Sequence, residues 1–257
     1  MNIKRISLSI LAMLSVVQSF SCTTIIVGKN ASKEGPTLIA RSVDGPADSS
    51  AVRFIYHPPM EKGYVYQNIE EPENRFRYTM PDNLLGYSGL PDWQTNSNGF
   101  QESGFNDIGV SVSATETIFS NEKVLAIDPY VNNGVSEEAV VMITLPQKKS
   151  AKQGVELLGS IIEKYGSAEG FGVAFADKNE AWYMENAGGH EWVAIKIPDD
   201  KYFVSANQSR IGVINLDDKD NVITSSNLIS FAKENDLYSS GQFNFRKIYS
   251  KDDNGDA

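Results

Sequence analysis

The chain has 257 residues, 33 acidic against 23 Lys and Arg, for a formal charge of -10, with a single cysteine and two histidines. That charge, with no basic patch interleaved with aromatics, argues against binding a phosphate backbone, so no nucleic-acid partner is expected. The lone cysteine excludes an internal disulfide, and His57 and His190 without an HExxH or CxxC pattern argue against a dedicated metal site; no cofactor is expected.

Residues 1–21 read as a secretory signal peptide. Lys4 and Arg5 form a basic start, an apolar stretch runs from Ile6 to Val17, and small Ser19 and Ser21 stand where a signal peptidase reads. The stretch is too short and too interrupted by serines for a membrane span, which takes about 20 mainly apolar residues, and no later stretch qualifies. The expectation is an exported protein, periplasmic or extracellular, with residues 22–257 as one substantial domain and Cys22 as its first mature residue. A homo-oligomer is compatible with this composition.

The run Thr23 to Val27, closed by Gly28, predicts a buried strand. A turn over Lys29 to Gly35 and a partner strand over Pro36 to Arg41 follow, ended by Asp44-Gly45-Pro46. Residues 46–105, rich in Pro, Gly and Asn, read as short strands and loops that can wall a cleft. The alternation from Ile108 to Ala114 predicts a strand with one apolar face and one face of small polar residues that lets another element approach closely. Ser136 opens a helix over Glu137 to Leu145, stopped by Pro146. Ser150 with Gln153 makes a capping-box pattern before Val155, Leu158, Ile161, Ile162 and Tyr165, and Gly166 ends that second helix. Strands are then expected over Phe171 to Ala176, Ala181 to Glu185, Trp192 to Ile197 and Tyr202 to Ala206. Strands, two helices, then strands give an α+β class with a mixed sheet rather than alternating βαβ units.

A thiol attacks as thiolate, and a reference pKa of about 8.5 leaves few thiols ionised at neutral pH. If cleavage precedes Cys22, its own α-amine, with a reference pKa of about 7.7 to 8.0, can take the proton directly or through water. Arg41 and Asp44, at the end of the neighbouring strand, have two readings: partners of that nucleophile, or an ordinary surface ion pair beside a turn.

The segments Cys22-Thr23-Thr24-Ile25-Ile26-Val27-Gly28 and Leu38-Ile39-Ala40-Arg41-Ser42-Val43-Asp44 resemble the opening signature of the dipeptidase A family of N-terminal-nucleophile cysteine peptidases. The resemblance continues through Gly104 to Val110, Ser113 to Thr117, Trp182 to Glu185, Gly189 to Ala194 and Ser205 to Gly212; penicillin V acylases and bile salt hydrolases look like more distant relatives. It implies an αββα sandwich and amide hydrolysis through an acyl-enzyme, with short peptides as substrates. By motif it implies Cys22 as nucleophile and base carrier, Arg41 and Asp44 as electrostatic partners, and Asn207 as oxyanion donor, although an Asn after a strand also suits a simple turn. Glu116 stands where the acylases carry an Asn; its carboxylate can bind a substrate amine, or sit at a solvated strand end. His190, after Gly188-Gly189 and before Glu191, reads as a turn residue rather than a base, and Trp182, Tyr183 and Trp192 as strand packing. Members of the family are longer, so a shortened member or an incomplete sequence is expected.

Two alternatives share the opening feature. An acylase-type amidase differs only in substrate. A lipid-anchored binding protein also matures at a Cys, but a lipobox prefers an aliphatic residue three before it and a small one two before it, where Ser19 and Phe20 stand, and such domains start with a polar tether rather than a strand.

Overall fold

The computed structural model describes residues 22–33, 35–43, 53–70, 72–92 and 99–251, with the side chains of residues 115 and 116 outside that description. β1 (Thr23–Val27) and β2 (Leu38–Ser42) form where the apolar runs predict them, paired antiparallel. The irregular stretch supplies β3 (Ile55–His57), β4 (Val65–Gln67), β5 (Arg77–Thr79), β6 (Tyr87–Pro91) and β7 (Gln101–Asn106), and β8 (Ser111–Thr117) follows. Then come α1 (Glu122–Ile127), α2 (Glu137–Thr144), α3 (Ala151–Tyr165), β9 (Phe171–Ala176), β10 (Ala181–Ala187), β11 (Glu191–Ile197), β12 (Tyr202–Ser205), β13 (Val222–Thr224), α4 (Leu228–Glu234) and α5 (Phe245–Tyr249).

An eight-stranded antiparallel sheet runs in the order β13-β11-β10-β9-β8-β7-β6-β3, and a three-stranded sheet in the order β12-β1-β2. Alternation gives the large sheet two apolar faces. One, with Val112, Ala114, Val173, Phe175, Trp182, Met184 and Trp192, packs under α2 and α3 through Val140, Ile143, Val155, Leu158 and Ile162. The other, with Ala174, Tyr183, Val193 and Ile197, meets Ile26 and Ile39 of the small sheet and Leu228, Phe245 and Tyr249 of α4 and α5. The class is α+β, as expected, with helices over one sheet and a second sheet stacked beneath it. The outer face of the small sheet, with Ile25, Leu38, Tyr202 and Val204, is exposed among the described residues.

Packing rather than propensity holds α3. Gly154 and Gly159 each cost about 1 kcal/mol of helix propensity against Ala. A Cβ would stand 2.6 Å from the Phe175 ring at Gly154 and 2.1 Å from the Trp192 ring at Gly159, so their absence lets the helix settle onto the sheet. Burying each of those aromatics contributes roughly 1.5 to 3 kcal/mol, which outweighs the propensity loss. Ser150 caps the helix as expected, its Oγ accepting from the Gln153 amide at 3.2 Å, and Gly166 ends it at φ +77°.

One expectation changes. The strand read from Ile108 begins only at Ser111, because the Asn106 carboxamide accepts from the Val110 amide at 2.9 Å and Gly109 turns at φ +86°, making Ile108-Gly109 the bend of the β7–β8 hairpin. As expected, Ser136 opens α2 as its N-cap residue, although its hydroxyl accepts from Asn68 Nδ2 at 3.0 Å rather than from the helix. Pro198-Asp199-Asp200 joins β11 of the large sheet to β12, which pairs with β1 in the small one.

Candidate active site

Cys22 stands one residue ahead of β1, which is the central strand of the small sheet. Thr24 faces Arg41 of β2 on one side and Ser205 of β12 on the other. Thr24 and Ile26 are fully buried towards the large sheet while Ile25 is exposed, so the alternation turns Cys22 inward with them. Continued two residues past its last pair, the β1–β12 register runs to Cys22 and Asn207. Asn207 is the central residue of a γ-turn in which the Gln208 amide donates to the Ala206 carbonyl at 2.7 Å. Two segments 185 residues apart in sequence are thus brought to one end of the small sheet.

Arg41 crosses from β2 to Cys22. Its Nη2 donates to Cys22 Sγ at 3.8 Å, its Nη1 to the Glu102 carbonyl at 3.1 Å, and Nη2 also pairs with Glu102 Oε2 at 3.4 Å. Both side chains of that pair are only 6% exposed, so the reading of Arg41 as a surface ion pair is overturned. A buried guanidinium against the sulfur favours the thiolate over the thiol. Glu102 is not legible as a site residue in the sequence, because the run Gly99-Phe100-Gln101-Glu102-Ser103 lacks the apolar alternation that marks a strand face. Burial pushes the Glu102 carboxyl up to about 7; Arg41 pulls it down, and a hydrogen bond to Asp92 together with that residue's charge adds to the rise. Asp92 is itself 5% exposed, and a carboxyl–carboxyl hydrogen bond needs one proton between the two.

Asp44 lies outside the described residues. Glu116 sits in β8 with its backbone opposite Gly172, after a register shift between Ala114 and Glu116, and its side chain lies outside the description. His190 is in the β10–β11 turn, where its Nδ1 meets Asp128 Oδ1 at 2.7 Å and its amide donates to Asp128 Oδ2 at 2.8 Å. His57 stacks on Tyr87 at a centroid distance of 4.5 Å and meets Gln101 at 2.6 Å. With the His190 ring 43% exposed, the Asp128 pair is worth under about 1 kcal/mol. His190→Ala is therefore expected to keep the peptide hydrolysis that the resemblance implies within about twofold of wild type; steady-state kinetics on the variant check this, and a loss beyond about tenfold would restore His190 as a candidate base. Trp182, Tyr183 and Trp192 are buried in the two cores. Among the described residues no three His, Cys, Asp or Glu side chains gather as a metal-ligating group.

The family model for "Peptidase family C69" matches residues 21–257. The chain belongs to peptidase family C69. Among curated relatives, it is 41% identical over 248 residues to a "Probable dipeptidase" of Salmonella dublin, an alignment covering 95% of this chain and 57% of that protein. It is 39% identical over 237 residues to a "Probable dipeptidase" of Latilactobacillus sakei, covering 92% of this chain and 50% of that one. The chain thus spans about half the length of these C69 relatives. Among solved structures it is similar to penicillin V acylase from Agrobacterium tumefaciens, at a TM-score of 0.38 and 13% identity over 80% of this chain and 52% of that one. The resemblance read from the motifs around Cys22, Arg41 and Asn207 therefore holds at the level of the C69 family.

Proposed function

We propose that the chain is an exported cysteine dipeptidase, hydrolysing short peptides through an acyl-enzyme on Cys22 after removal of residues 1–21. The observation that carries this reading is the Arg41 guanidinium held against Cys22 Sγ at 3.8 Å in a member of a peptidase family. The Cys22 α-amine takes the thiol proton, directly or through water, and the thiolate attacks the scissile carbonyl. Asn207 donates its side-chain N–H to the oxyanion of the tetrahedral intermediate, while Arg41 and Asp44 hold the sulfur and the ammonium. The amine leaves with the proton, and water hydrolyses the thioester to release the acid and restore the thiol.

Support for a nucleophile at this point comes from β1, which enters the small sheet one residue after Cys22. No described helix is long and apolar enough to cross a membrane. Intact-mass measurement on the exported protein tests the reading: a chain beginning at an unmodified Cys22 supports it, and an added diacylglyceryl mass would sink it. Assay of dipeptides against acylated amides distinguishes it from the amidase alternative.

Substrate choice rests on Glu116, whose carboxylate binds the free amine of the peptide in this reading. Glu116→Gln is expected to raise KM for dipeptides about tenfold or more, the value of one charged hydrogen bond, and to leave acylated amides unaffected. An equal effect on both substrates, or none on either, removes Glu116 from amine recognition.

A further inference from the structure

The segment that carries Asn207 is tied to the large sheet on both sides of that residue, by alternate residues of one strand. Upstream, Tyr183 Oη is hydrogen-bonded to Ser205 Oγ at 2.9 Å, and both residues are fully buried. Downstream, the Glu185 carboxylate accepts from Ser209 Oγ at 2.6 Å, from the Arg210 amide at 2.6 Å and from the Ile211 amide at 3.3 Å. Glu185 is fully buried in a strand, β10, otherwise made of Ala, Trp, Tyr, Met and Asn. An acidic side chain in such a place costs several kcal/mol unless its partners repay it. Burial pushes its carboxyl up to about 7, against the pull of Ser209, the two amides and Arg210. A fold that needed only a packed strand would be served as well by an apolar residue of similar volume.

We propose that Tyr183 and Glu185 are positioning residues that clamp residues 205–211 to β10 and so fix the Asn207 side chain opposite Cys22. This rests on the reading of Asn207 as oxyanion donor. Ser205 lies two residues before Asn207 and Ser209 two after it, so the γ-turn that presents Asn207 is fixed at both ends while its own tip remains half-buried. A donor aimed at charge that develops only in the transition state loses its value when displaced by about an ångström. Loosening the clamp is therefore expressed in kcat rather than in KM.

The test is a double-mutant cycle on the mature, full-length protein with a dipeptide substrate and Tm measured in parallel. Asn207→Ala is expected to lower kcat about 100-fold, in the range for loss of one oxyanion donor. Glu185→Gln replaces one of the two accepting oxygens with an NH2 donor among the Ser209, Arg210 and Ile211 donors; it is expected to lower kcat about 10- to 30-fold with KM within about twofold. In the pair, the Glu185→Gln loss should disappear from kcat while its fall in Tm persists. Tyr183→Phe keeps the ring packing, removes only the hydroxyl, and is expected to lower kcat about threefold or more in the same non-additive way; it decides the matter if Glu185→Gln does not fold. Losses that multiply in the pairs overturn the clamp and leave the Asn207 reading intact. Wild-type kcat in Asn207→Ala overturns that reading and the clamp with it.

Discussion

Cys22→Ser is expected to lower kcat/KM for dipeptides by about a thousandfold or more, with Tm unchanged within about 1 °C because the exchange of sulfur for oxygen is nearly isosteric. The loss follows from the proton balance. An α-amine at about 7.7 to 8.0 and a thiol at about 8.5 differ by less than a pH unit, so transfer between them is nearly free and Arg41 tips it towards thiolate. A serine hydroxyl is far less acidic, and the same amine cannot deprotonate it to any useful extent. The amine itself exists only after cleavage, so protein that retains residues 1–21 should be as inactive as the Ser variant although its thiol is intact. Steady-state kinetics on the Ser variant, on processed protein and on a precursor blocked at the cleavage site check both statements. Activity in the uncleaved precursor would show that another group serves as base, and a Ser variant at the wild-type rate would remove Cys22 from the chemistry.

How much of this was legible in the sequence depends on whether the signal was local. β1, β9, β10 and α3 announce themselves through runs and periodicities of neighbouring residues, and the capping pair Ser150 and Gln153 marks a helix start within four positions. α1, α4 and α5, with six, seven and five residues, are too short to show a period against the background. Cys22 and Arg41 could be paired because β1 and β2 are consecutive and antiparallel. The passage of β12 from one sheet to the other at Pro198 to Asp200 could not be read, because a turn sequence gives no indication of which strand edge receives the chain. Glu102 was invisible for a related reason: it reaches Arg41 across the space between two sheets, from a strand without an apolar pattern. Glu185 did leave a trace, a carboxylate after the apolar run Ala181 to Met184, which is costly enough when buried to need a reason.

Arg41→Met is the second large effect, expected to lower kcat/KM about 100-fold and to raise the midpoint for alkylation of Cys22 by about one pH unit, the lower range for loss of one adjacent cation. Glu102 makes the stability of this variant depend on pH. Its carboxyl, raised to about 7, holds a proton in the folded protein that the unfolded chain, at the ordinary carboxylate value, has released. Its favourable contribution is therefore complete below that ordinary value and lost as pH rises through about 7. Removing Arg41 takes away the positive charge that favours the ionised form against burial and Asp92, so the carboxyl rises further and the loss above pH 7 deepens. A buried charge left without its partner costs roughly 3 to 5 kcal/mol, and proton uptake by Glu102 relieves much of this at pH 6 but less at pH 8. The Tm gap between wild type and Arg41→Met should accordingly widen from pH 6 to pH 8. Adding Glu102→Gln removes the stranded carboxyl and should narrow that gap at pH 8 without restoring turnover. Glu102→Gln alone leaves Arg41 fully charged beside the sulfur, so its alkylation midpoint should fall below the wild-type value rather than rise. Thermal unfolding at the two pH values and the pH dependence of alkylation separate the two roles of Arg41: an unchanged alkylation midpoint in Arg41→Met would leave it only the structural one, as the counter-charge that allows Glu102 and Asp92 to lie buried behind the nucleophile.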